Sequence, residues 1–191
     1  MNMPRVDILI DGFADEAKLA DHGTARYRPN IVLIRVEGLV IVVDPGTVEK
    51  QSDITDALQK YGVQVSDVTH LVHTHHHLDH VRNAGMFKDI SVIDAWAMWN
   101  GVDYSTKKVE LHPSIRIQPT AGHSYDSLTV FVEAEDGIVA VCGDVLWWEN
   151  DTQSDVYATD AEELAKSRAL VLEQADIVIP GHGPKFNTNR K

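Results

Sequence analysis

A single cysteine, Cys142, in 191 residues excludes an internal disulfide framework. Nowhere do about 18 apolar residues run together, and no basic stretch followed by an apolar core opens the chain. Neither a membrane span nor a secretory leader is therefore expected, and the chain reads as cytoplasmic. Basic residues are scarce, 17 Lys and Arg against 29 Asp and Glu, and the net charge of −12 favours solubility and repels polyanions at long range. Internal repeats, low-complexity linkers, a Ser-His-Asp arrangement, a GxSxG elbow and a Walker-type phosphate loop are all missing, so nucleophilic-serine and P-loop chemistry have no foothold. At 43% hydrophobic residues the chain is long enough for one well-buried domain, 1–191, and too short for two comfortable ones.

What the chain does have is the run Thr74-His75-His76-His77-Leu78-Asp79-His80. In an extended segment residues two apart share a side, so His75 and His77 can close on one ion while His76 faces away. Asp79 has the capping preference of a residue that opens a helix; if it does so here, Asp79 and His80 diverge toward a second ion. Three later residues complete a ligand set, each after an apolar run and beside glycine: His123 in Thr120-Ala121-Gly122-His123-Ser124, Asp144 after Val139-Ala140-Val141-Cys142-Gly143, and His182 in Pro180-Gly181-His182-Gly183. Glycine beside a ligand lets the backbone turn tightly and approach an ion without a Cβ clash. Five imidazoles and two carboxylates suit zinc, and the mixed donors also admit iron or manganese. His73 and His76 lie off the ligand positions, and His22, His70 and His112 have no motif around them, which suits ordinary polar roles.

In this order the motifs resemble those of the metallo-β-lactamase fold hydrolases: His-x-His-x-Asp-His, then Gly-His, Gly-Asp and a second Gly-His. The resemblance covers nearly the whole chain. Within that superfamily Thr74 to Phe87, Thr120 to Ser124, and Ser167 to Leu172 leading into Pro180-Gly-His-Gly-Pro-Lys-Phe186 are similar to the metallo-β-lactamase domain-containing protein 1 family. The resemblance implies that His75, His77 and His123 hold one metal, that Asp79, His80 and His182 hold the other, and that Asp144 bridges them. It also implies that Asp44, ending the run Val42-Val43-Asp44-Pro45, orients a ligand histidine; a plain turn residue accounts for it equally well.

Strand-type runs are expected at Val6 to Ile10, Ile31 to Val36, Leu39 to Val43, Val68 to His73, Ser91 to Ile93, Ile115 to Ile117, Ser127 to Val132, Ile138 to Cys142 and Ile177 to Ile179. Helical faces are expected over Asp53 to Tyr61 and Asp160 to Gln174, and hairpins at Glu37-Gly38 and Glu135-Asp136-Gly137. Two antiparallel-rich sheets with helices outside fit this order, an α/β chain; the resemblance implies the four-layer αββα sandwich as a single domain. Every ligand then falls in a loop at one edge.

Two ions a few Å apart can share a water, lower its pKa and hold a bridging hydroxide as nucleophile, with Asp79 orienting the attacking species or relaying a proton. A di-zinc hydrolase is the expectation. Only nine residues follow His182, so the helical C-terminal domain of glyoxalase II is not expected, and Asp144 stands where class B1 β-lactamases have Cys. The resemblance favours phosphodiester cleavage of RNA or single-stranded nucleic acid. A small ester, lactone or thioester, with at most promiscuous β-lactamase activity, is one alternative; a mononuclear iron persulfide dioxygenase is another. A small molecule or a nucleic acid is thus the expected partner, with no membrane and no oligomeric state legible. Ser124, Tyr125, Trp147 and Trp148 could wall the pocket, joined by Trp96 and Trp99 unless these two pack in the core. Lys107-Lys108, Arg116, Lys185, Arg190 and Lys191 form either a local phosphate track or solvated surface.

Overall fold

A computed structural model describes residues 3–15, 25–107, 109–151 and 155–188. His22, Lys108, Arg190 and Lys191 lie outside them. After β1 (Arg5–Ile10), β2 (Phe13–Ala14) and β3 (Tyr27–Arg28) pair as a short ribbon. The first sheet continues through β4 (Ile31–Val36), β5 (Leu39–Val43), β6 (His70–Val72), β7 (Ser91–Ile93), β8 (Met98–Asn100) and β9 (Asp103–Ser105), in the spatial order β1-β4-β5-β6-β7-β8-β9. The second holds β10 (Ile115–Pro119), β11 (Leu128–Ala134), β12 (Gly137–Val141), β13 (Ile177–Ile179) and β14 (Phe186–Asn187) in chain order. Among the described residues most neighbours are antiparallel; β5, β6 and β7 run parallel to one another, as do β12 and β13.

The central strands are near-continuous apolar runs because both of their faces are covered. Alternation sorts the side chains. In β4, Val32, Ile34 and Val36 point into the space between the sheets, where they meet Val130, Val132, Val139 and Val141 of the second sheet. Ile31 and Leu33, on the opposite face, meet Ile54, Ala57 and Leu58 of helix α1 (Gln51–Lys60). Phe131 and Ala140 likewise turn outward from the second sheet onto Leu164 and Val171 of a longer helix, Ala161–Gln174. The result is the four-layer αββα sandwich. No described helix is long and apolar enough to cross a membrane.

Several elements depart from the sequence expectation. The run from Val68 yields only His70–Val72, because Val65–Asp67 is wound into a 3₁₀ turn capped at Val68. Asp79 does not open its helix: α2 (Leu78–Val81) has His77 as its N-cap, which places Asp79 in the first turn. The longer helix, α3, begins as expected, with Asp160 accepting hydrogen bonds from the Glu162 and Glu163 amides. The β8–β9 hairpin turns on Gly101-Val102, with Gly101 at φ 63°, and was unforeseen.

Candidate metal centre

Strand direction explains why the candidate ligands meet. β5 and β6 are parallel, with Val43 opposite Val72, so Asp44 and the His75–His80 segment leave the first sheet side by side. β12 and β13 are parallel, with Val141 opposite Ile179, so Asp144 and His182 leave the second sheet at the same edge. The β10–β11 loop brings His123, and the Leu128 amide donates to the Thr74 carbonyl at 2.8 Å, tying the two sheets together there. Two donor groups result. Facing atoms of His75, His77, His123 and Asp144 lie within 4.8 Å of one another, and so do those of Asp79, His80 and His182.

Asp144 faces both groups. Its Oδ1 lies 3.2 Å from His80 Nε2 and 3.3 Å from His182 Nε2, while its Oδ2 lies 3.5 Å from His123 Nε2 and 3.9 Å from His75 Nε2. Asp79 Oδ2 stands 3.5 Å from His80 Nε2 and 3.7 Å from His182 Nε2. His75 Nε2, His80 Nε2, His182 Nε2 and Asp144 Oδ1 are buried without a hydrogen-bond partner. Such convergence of orphaned lone pairs is costly unless a cation satisfies it, so the residues fit metal ions well.

The far sides of the rings are held. His80 Nδ1 lies 2.8 Å from Asp44 Oδ2, which also accepts from the Thr74 hydroxyl at 2.6 Å; Asp44 Oδ1 accepts from the Thr74 amide at 2.7 Å. His75 Nδ1 is 3.1 Å from Thr74 Oγ1, so Asp44 reaches one ring directly and a second through threonine. Asp44 is thus more than a bare turn residue, being bonded to the His80 ring. His123 Nδ1 donates to Asp155 at 2.5 Å, and His182 Nδ1 to the Arg28 carbonyl at 2.9 Å. These bonds assign the proton to Nδ1 and leave Nε2 free as a donor to a metal.

Charge prepares part of the same set. Burial and the neighbouring His80 push the His75 imidazolium well below its usual range, and burial lowers His77 as well. Burial alone would raise Asp144, but the His182 and His80 rings hold it well below the ordinary carboxylate range. Neutral imidazole and ionised carboxylate are the forms that bind metal; His80 departs from this, since burial lowers its imidazolium but the Asp144 and Asp44 carboxylates outweigh burial and hold it well above its usual range, so an ion there would displace a proton.

Glycines let the loops close in. Gly122 adopts φ 133°, and a Cβ there would collide with the backbone of Leu164 at the start of α3. A Cβ on Gly181 would run into Asp144 Oδ1.

A cavity of about 560 Å³ opens over His77, Asp79 and Asp144. Phe13, Tyr27, Trp147 and Tyr157 supply its aromatic wall, and Arg26, Arg28 and Arg82 its cations. Trp147 lies 4.6 Å from the His182 ring and stacks on Tyr157. Burial and the nearby Asp79 carboxylate raise the Tyr27 phenol.

Other expected wall residues are elsewhere. Trp148 packs against Trp147, and Ser124 is buried with its hydroxyl donating to Asp126. Tyr125, Trp96 and Trp99 are 75%, 51% and 37% exposed, so the last two are neither core nor cavity wall. His76 is a bystander to the donor groups, bonded to Asp126 at 2.6 Å. The basic track is not assembled at the cavity: Lys185 and Lys107 border two other depressions, and Arg116 bonds Gln118 and Gln174. A turn or loop cation cannot be assigned to a site from sequence spacing alone, and the sequence reading missed the three arginines that line it. It also missed Asp155, and Asn30, whose amide side chain donates to the Pro180 and Gly183 carbonyls at 2.8 Å each and so clamps the His182 loop.

The sequence profile of the metallo-β-lactamase superfamily matches residues 25–119. Metallo-β-lactamase domain-containing protein 1 of Xenopus laevis is 29% identical over 95% of this chain and 80% of its own. The human protein of that name is 33% identical over 79% of this chain and 60% of its own. Among solved structures, an N-acyl homoserine lactone hydrolase with its product bound at the catalytic metal center superposes with a TM-score of 0.71 at 18% identity, over 96% of this chain and 94% of that one. From profile, relatives and four-layer architecture together, the chain belongs to the metallo-β-lactamase superfamily.

Proposed function

We propose that this metal-dependent hydrolase cleaves phosphodiester bonds of RNA or single-stranded nucleic acid at a centre of two zinc ions. In this reading His75, His77 and His123 would hold one ion, Asp79, His80 and His182 the other, and Asp144 would serve both. The placement of the two Asp144 oxygens against two separate donor groups supports two ions over one. A mononuclear iron site would leave the Asp79, His80 and His182 group without an occupant.

Zinc bound there would supply a water of lowered pKa and stabilise charge developing on oxygen. The chain's own residues do the rest. Asp79, the cavity-lining carboxylate whose side chain is 16% exposed, orients the attacking water and takes up its proton. Arg82, exposed at the cavity and unpaired with any described carboxylate, holds the non-bridging oxygens. The substrate assignment rests on one observation: three arginines line this cavity in a chain of net charge −12. They balance Glu49, Asp79 and Asp144 there, so two divalent ions would make the site positive.

A second reading, a small lactone or other ester, is favoured by the apolar surface of Phe13, Val48 and Leu78 in the same cavity. It is also favoured by the likeness to the lactone hydrolase. Elemental analysis of the purified protein, followed by turnover of an oligoribonucleotide, a small phosphodiester, an N-acyl lactone and a thioester, separates the two. Phosphodiester turnover is expected; hydrolysis of the lactone or thioester alone would refute it.

A further inference from the structure

On the outer side of the ligand-bearing loops, away from the cavity, Trp96 and Tyr125 stand in solvent at 51% and 75% exposure. Apolar area as large as an indole's favours burial. Trp96 is held in place with only one face covered. Asp94 Oδ1 accepts from the amides of Trp96 and Ala97 at 2.8 and 2.9 Å, and Asp94 Oδ2 accepts from Trp99 Nε1 at 2.9 Å. That turn presents the indole outward. One of its faces stacks on His76 with centroids 5.0 Å apart and planes 20° from parallel. His76 is in turn fixed by Asp126 at 2.6 Å. The Tyr125 ring is tilted beside it, 6.1 Å away.

Position gives these rings meaning. Tyr125 lies two residues after His123, and Trp96, carried by the β7–β8 turn, rests on His76 between the candidate ligands His75 and His77, so both rings adjoin the loops that carry one donor group. Lys107, exposed, borders the same depression as Trp96, and no described carboxylate pairs with it. A held aromatic face with a cation beside it suits a base and its phosphate; an acyl chain has no use for the cation.

We propose that Trp96 and Tyr125 form a stacking platform for one nucleobase of a single-stranded nucleic acid, with Lys107 meeting the adjoining phosphate. The proposal rests on the nucleic-acid reading above and names the part of the protein that grips substrate beyond the reacting bond.

Anisotropy of a fluorescein-labelled, hydrolysis-resistant phosphorothioate hexauridylate, titrated with the metal-loaded protein, tests it. Trp96→Leu and Tyr125→Leu should each weaken binding about tenfold, the scale of one lost base–aromatic stack. Tyr104→Leu, an equally exposed aromatic on β9, should leave binding unchanged. Lys107→Ala should reduce the slope of log K against log salt by about 0.7, one phosphate contact on a single strand. Metal content, measured on each variant, should stay at the wild-type value. An absence of binding by the wild type, undiminished binding by Trp96→Leu, or an equal loss in Tyr104→Leu would each overturn the platform. If the hexamer binds with the expected pattern but unmodified RNA is not cleaved, the platform stands and the phosphodiesterase reading falls.

Discussion

Asp44→Asn is the most informative single change, because one carboxylate serves both donor groups. Asp44 is 2% exposed and sits at φ 51°, a left-handed conformation that Asn tolerates and Ala does not. Its oxygens accept from three buried donors: the Thr74 amide, the Thr74 hydroxyl and His80 Nδ1. An amide cannot serve all three. With its oxygen toward the Thr74 amide, its NH2 faces His80 Nδ1; the ring must then move its proton to Nε2 and loses the lone pair that would bind metal. With the amide flipped, the Thr74 N–H is left facing an NH2 group, an unsatisfied buried donor worth about 1–3 kcal/mol. Loss of such an orienting partner typically costs 10- to 100-fold in metal affinity, about 1.4–2.8 kcal/mol. Both ions should be affected, one through His80 and the other through Thr74 and His75. Chelator-competition titration resolves the two affinities, and thermal unfolding in excess chelator measures the metal-free stability loss. Thr74→Val, which removes the relay to His75 and one of the three donors to Asp44 but keeps the Asp44–His80 bond, should weaken one ion more than the other. Two affinities within twofold of wild type in Asp44→Asn would refute the orienting role, and an effect on one ion alone would refute the relay.

Three further outcomes are expected. Asp144→Ala should lose both ions while His76→Ala keeps its metal content, as elemental analysis would show; equal losses would mean that the donor groups are misassigned. Gly181→Ala should displace the Asp144 carboxylate and lower metal affinity, with less effect on the melting temperature of the metal-free protein than Gly122→Ala, which drives a Cβ into the α3 backbone at φ 133°. Cys142 is 1% exposed, and burial pushes its thiol up to about 12, so at pH 8 only about one in 10⁴ molecules carries the thiolate. Ellman's reagent should therefore react with unfolded protein but not with native protein at pH 8, and rapid native reaction would contradict that burial.

Much of this was legible from the chain because the signals are local. The seven donors lie in short motifs, and the central strands declare themselves as apolar runs bounded by turns, so β4, β5, β7 and β13 begin and end where expected. What the chain concealed depends on distant partners. Asp155 reaches His123 across 32 residues from a stretch with no periodicity, and Asn30 clamps a loop 150 residues away. The β8–β9 hairpin carried a usable sign, Gly101 at the first position of a two-residue loop, but its strands of three residues are too short for alternation to show. His77 at the helix cap was hidden because it lacks the side-chain cap bond that makes such positions readable.

Each donor group draws on both halves of the molecule. His75 and His77 come from the first sheet and His123 and Asp144 from the second; Asp79 and His80 come from the first and His182 from the second. An ion bound in either group is therefore a rivet between the sheets, and at free metal 100-fold above its dissociation constant it would add about 2.7 kcal/mol to the stability of the docked sandwich. Neither half could assemble a complete site alone, so a chain whose sheets have folded but not met would carry no reactive centre. The chemistry would thus act as its own assembly check, switched on only by the final docking step of folding.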